Sequence, residues 1–126
     1  MGLERALTDV EYKVMSVIWQ DGGETPAKHI HEVLSKEDGL ERASTYQIIH
    51  RCIAKGAIER VDPGFICRAK VAQDEMQVEE TRKLVDRVFG GSAEKLLVAL
   101  IDPSITSRDE IDRLRSMVRK GFNHSE

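Results

Sequence analysis

Between Arg42 and Gln47 the chain gathers one guanidinium, three hydroxyls and one amide into the run Arg42-Ala43-Ser44-Thr45-Tyr46-Gln47. Groups of this kind hydrogen-bond to nucleic acid: arginine suits guanine, the glutamine amide suits adenine, and Ser or Thr suits either. At helical spacing His50 and Arg51 follow Tyr46 and Gln47 on the outer side. Arg60, Arg68 and Lys70 come soon after, on a short basic hairpin. Cations there would touch phosphate or the minor groove and fix register more than sequence. The plain alternative for the first run is a solvated helix start, where Ser and Thr are common. The basic hairpin directly behind it favours the nucleic-acid reading.

Other chemistries find less support. His29 and His31 are two apart on a predicted helix, so they point to different faces and cannot share an ion. His31-Glu32 begins like a zinc-protease motif, but Ser35 stands where the second histidine belongs. His50 and His124 are isolated, and no metal or other cofactor is expected. There is no Gly-rich phosphate loop, and Gly90-Gly91-Ser92 lacks the strand-to-helix context of a nucleophile elbow. No catalytic residue emerges, so an enzyme is not expected. Cys52 and Cys67 do not form a C-x-x-C pair, and two free thiols are the expectation, one of them in the core. A thiol-based redox sensor stays open as a rival reading, as does an adaptor that presents this same helix and hairpin to a protein partner.

The elements that must hold these groups can be read in order. Thr8-Asp9-Val10-Glu11 is a capping box, and Leu7, Val10, Val14, Val17 and Ile18 give a helix to Gln20 with one inward face. After Asp21-Gly22-Gly23, the Thr25-Pro26 pair predicts a capped helix with proline in its first turn, carrying Ala27, Ile30, Val33 and Leu34. A polar loop is expected over Ser35 to Gly39. A third helix runs from about Arg42 to Lys55 and stops at Gly56, with Ile49, Cys52 and Ile53 inside and Thr45 and Ile48 at the margin. Alternation over 57–61, the turn signal Asp62-Pro63-Gly64 and the run 65–70 predict a two-stranded hairpin. Three helices and a hairpin wing give a mainly α fold, the winged helix-turn-helix, in which the third helix enters a major groove.

Residues 72–126 read as short amphipathic helices, the last opened by the capping box Ser107-Arg108-Asp109-Glu110 and fraying from Phe122 to Glu126. Their apolar residues are Leu84, Val85, Val88 and Phe89, then Leu96, Leu97, Leu100 and Ile101, then Ile111, Leu114 and Val118. With few aromatics these cannot easily seal a core alone, and a second copy would cover them. The expected organisation is a DNA-binding domain over 1–71 and a helical dimerisation region over 72–126.

Composition sets the outer bounds. With 126 residues, 40% of them hydrophobic and 33% charged, the chain has the make-up of a small globular protein. Its formal net charge is −3, which at first sight disfavours nucleic acid. Yet from Arg42 to Lys70 six basic residues face only Glu59 and Asp62, a local net of +4. No apolar run approaches the roughly 20 residues of a membrane span, and no signal peptide is evident, so a cytoplasmic location is expected.

On these residues the sequence resembles the penicillinase-repressor (BlaI/MecI/CopY) family of winged-helix regulators. LTDVEYKVMSVIW (7–19) resembles the family's opening, and STYQIIHRCIAKGAIER (44–60) its recognition helix and first wing strand. VDRVFGGSAEKLLVALID (85–102) and SRDEIDRLRSMV (107–118) resemble its dimerisation region. The resemblance implies a homodimeric transcriptional repressor of a palindromic operator, with DNA-contacting positions at Ala43, Ser44, Tyr46 and Gln47 and at Arg51 one turn on. Ala43 stands where some relatives carry lysine, so the operator preference is expected to differ. Relatives in the antibiotic-resistance branch are inactivated by cleavage at an Asn-Phe bond, where this chain has Ala99-Leu100. Copper-responsive relatives end in Cys-x-Cys motifs, and the tail RKGFNHSE has none.

Overall fold

The computed structural model describes residues 7–124, with side chains through residue 121. Helix α1 (Asp9–Gln20) starts at the expected capping box: Thr8 Oγ1 accepts the Glu11 N–H, and Glu11 Oε1 accepts the Thr8 N–H. Val14, Met15, Val17 and Ile18 are buried, so the 3.6-residue stripe faces the core. Helix α2 (Ala27–Asp38) contributes Ala27, Ile30 and Leu34, and helix α3 (Arg42–Ala54) contributes Ile48, Ile49 and Cys52. Gly56, with φ 86°, takes the left-handed conformation that ends α3 and that side-chain-bearing residues rarely adopt.

Strands β2 (Ile58–Val61) and β3 (Ile66–Ala69) form the expected hairpin, with Arg60 opposite Cys67 and Val61 opposite Ile66. A third strand joins them. Strand β1 (Glu24–Pro26) pairs antiparallel with β3, Thr25 opposite Cys67, and the order is β1-β3-β2. The two-stranded wing is thereby corrected to a three-stranded sheet. Thr25 is not the cap of α2: it is buried in β1, and Pro26 is the N-cap residue, without a side-chain bond. Proline fits there because β1 is an edge strand, where a missing donor breaks no ladder. The wing satisfies the helix start instead, since Ala27 N–H donates to the Phe65 carbonyl at 2.9 Å. The predicted loop at Ser35 is also revised, because α2 continues to Asp38 and Gly39 caps it at φ 68°.

One buried ion pair crosses the domain. Lys55 Nζ lies 2.6 Å from Glu11 Oε1, joining the end of α3 to the start of α1. Both residues are buried. The indole N–H of Trp19 donates to the Val71 carbonyl at 3.0 Å and ties the chain leaving the sheet to α1.

The chain divides into two compact units, one up to Glu80 and one from Thr81. Helix α4 (Gln73–Val88) runs across that division. The second unit carries α5 (Ala93–Leu100), where Ser92 Oγ accepts the Lys95 N–H, and α6 (Arg108–His124), where Ser107 Oγ accepts the Glu110 N–H. Helix α6 thus runs to His124, into the segment expected to fray. The last two residues and the His124 side chain lie outside the described residues, as does the segment 1–6 of the signal-peptide reading.

Candidate nucleic-acid interface

Helix α3 shows two different sides. Thr45, Ile48, Ile49 and Cys52 are buried, while Arg42, Ala43, Gln47, His50 and Arg51 are exposed and Ser44 and Tyr46 half-buried. Thr45, expected among the outward groups, is the departure: it is fully buried and its hydroxyl donates to the Glu41 carbonyl at 3.0 Å. At its margin of the helical wheel the methyl and backbone bond turn it inward, so it steadies the first turn of α3 and offers nothing to a base.

The two wing arginines are exposed but already engaged. Arg60 Nε lies 3.1 Å from Asp62, and Arg68 lies 3.0 Å from Glu24 and 3.7 Å from Glu59. Exposed pairs of this kind are weak, about 0–1 kcal/mol, so a phosphate can displace the carboxylates. Lys70 is exposed. Lys55, counted in the basic window, is spent on Glu11, so the charge that reaches the surface is smaller than the sequence count.

Phe65 is the residue that sequence reading missed. It follows Gly64 in the wing turn with φ 47°, and among the described residues no other non-glycine has positive φ. Non-glycine residues pay about 1–2 kcal/mol for that conformation. Its ring meets Tyr46 edge-on with centroids 5.5 Å apart and lies 5.6 Å from His50. The Arg60 guanidinium sits 3.7 Å over the ring, and that of Arg42 lies 5.1 Å from the Tyr46 ring. A run of cations and rings therefore joins the outer side of α3 to the wing.

Both cysteines are buried and free. Burial pushes the Cys52 thiol up to about 12, with the Glu11 charge adding to it, and burial pushes Cys67 up to about 11. Neither has the exposure or thiolate character that a redox sensor uses. Among the described residues no cluster of three His, Cys, Asp or Glu could hold a metal, and no helix is long and apolar enough to cross a membrane.

In the second unit, Leu84, Val88, Leu100 and Val118 are exposed, and Val85, Phe89, Leu96, Leu97, Ile101 and Leu114 half-buried. Ile111 is already buried within the single chain, which removes it from the surface expected to meet a second copy. Leu97, Ile101, Leu114 and Val118 line an open groove of about 380 Å³, with Arg115 and Arg119 beside them.

Comparison with known proteins agrees with this architecture. The chain is 22% identical over 116 residues to the methicillin resistance regulatory protein MecI of Staphylococcus aureus (strain N315), covering 90% of this chain and 94% of that protein. The MecI proteins of Staphylococcus epidermidis and Mammaliicoccus sciuri match to the same extent. The sequence profile of the penicillinase repressor family matches residues 7–120, both units included. With a winged helix at its N-terminal end and that match over nearly its whole length, the chain belongs to the penicillinase repressor family of DNA-binding transcriptional repressors.

Proposed function

We propose that two copies of this chain bind an operator duplex bearing an inverted repeat, silencing the genes beside it. Each copy places α3 in a major groove and its wing along the adjoining backbone. The observation that carries this reading is the outward set Arg42, Gln47, His50 and Arg51 on α3, with the wing cation Arg60 joined to that side through the Phe65 ring and Arg68 and Lys70 exposed further along the wing. Gln47 and Arg42 suit base edges, and the wing cations suit phosphate. Residues 1–71 form the reading head and 72–126 the pairing region. The apolar residues left exposed on α4, α5 and α6 support pairing, because a second copy would remove them from water. Such a repressor works in the cytoplasm, on its operator.

The test is binding to a duplex that the wild-type protein selects from a random pool, measured by fluorescence anisotropy across a salt series. Gln47→Ala and Arg51→Ala should each weaken binding by about 1–3 kcal/mol, and wild-type affinity should fall steeply with salt. Wild-type affinity in both variants would contradict the placement of α3. Salt-insensitive behaviour would favour an apolar protein partner on the same surface.

A further inference from the structure

We infer that Phe65 is a positioning residue for DNA recognition, holding Arg60 in register with the outer side of α3. The inference rests on the DNA-binding reading above. Arg60 is a long side chain on an exposed strand, and free in solution its guanidinium would sample many positions. Here it lies over the Phe65 ring at 3.7 Å, with only the weak, displaceable Asp62 pair at 3.1 Å beside it. The ring in turn rests on Tyr46 and His50, two residues of α3 itself. The wing cation is therefore indexed to the recognition helix through one aromatic ring.

The backbone adds an independent observation. The ring reaches α3 from a left-handed residue, a conformation that glycine or asparagine takes with less strain. Strain of this kind persists where the surroundings over-determine it, and it clusters at functional positions. The main chain of Phe65 is fixed as well, its N–H bonded to Asp62 Oδ1 and its carbonyl to the Ala27 N–H.

Phe65→Asn separates the ring from the turn, because asparagine accepts the left-handed conformation. This variant should fold normally, bind the selected duplex about tenfold more weakly and show a log–log salt slope smaller by about one. Arg60→Ala should give the same slope change, and the double variant should be no worse than either alone. Phe65→Tyr, which keeps the ring face, should retain wild-type slope and affinity. A role in stability alone would lower the folded fraction and leave the slope of the folded protein unchanged. Wild-type affinity and slope in Phe65→Asn, or costs that add in the double variant, would overturn the inference while the DNA-binding reading stands. Failure of the wild-type protein to bind duplex with salt-dependent affinity would overturn both.

Discussion

Replacing Lys55 with methionine should destabilise the winged-helix unit by about 3–5 kcal/mol, the cost of removing one partner from a buried ion pair. Glu11 is 1% exposed and its Oε2 has no hydrogen-bond partner among the described residues. Without Lys55 the carboxylate keeps the Thr8 N–H but loses its paired ammonium, leaving only the more distant Arg51 charge. Three effects set its ionisation in the native protein. Burial pushes the Glu11 carboxyl up; the Lys55 and Thr8 hydrogen bonds, with the Lys55 and Arg51 charges, outweigh it and leave the group below its ordinary value of 4.5. A carboxyl so lowered contributes stability that is present above the ordinary value and fades as pH falls through the native one. In Lys55→Met the hydrogen bond and charge of Lys55 are gone while burial stays, so the group titrates higher than in the native protein and protonation relieves the fold. The deficit of the variant should therefore shrink at about pH 4 relative to neutral pH. Urea denaturation at a single protein concentration, at both pH values, measures this. Adding Glu11→Gln, which keeps an acceptor for the Thr8 N–H, should recover much of the loss at neutral pH. A deficit that is equal at both pH values would show that packing, and not charge, is what Lys55 supplies.

If copies pair as proposed, Leu97→Asp combined with Leu114→Asp should leave only monomers in sedimentation and lower operator affinity about 10²–10⁴-fold. Both leucines line the groove of the second unit, and a carboxylate on each would have to be desolvated when a partner closes over it. The size of the loss follows from the linkage of two half-sites: once one head is bound, the other binds at a high effective concentration, and separate monomers forfeit that gain. The reading heads themselves should be unharmed, so the residual binding should keep the salt dependence of one head. Dimers that persist in the double variant would place the pairing surface elsewhere on α4, α5 or α6.

What the sequence made legible was the part governed by short-range rules. The capping box of Thr8 and Glu11, the glycine stops and the alternation on either side of Asp62-Pro63-Gly64 each depend on a few adjacent residues. All appear where those rules place them. Strand β1 was hidden because three residues carry too little pattern, and Thr25-Pro26 satisfies the rules for a helix start equally well. The distinction lies in Cys67, more than 40 residues away, whose strand claims Thr25. Lys55 read as part of a basic surface because its partner Glu11 belongs to another helix. Phe65 was invisible for the opposite reason: an aromatic residue in a left-handed turn violates local preference, and its partners on α3 and in the core lie far from it in sequence.

The claim on which everything else depends is that paired copies read DNA through the outer side of α3. It is tested most directly by letting the full-length protein select duplexes from a random pool and determining how many chains each selected duplex binds. We expect an inverted repeat, its half-sites about one helical turn or a multiple apart, bound by two chains, with base preference altered in Gln47→Ala. A pool that yields no enriched sequence, or a non-repeated site bound by one chain with unchanged preference in Gln47→Ala, would contradict it.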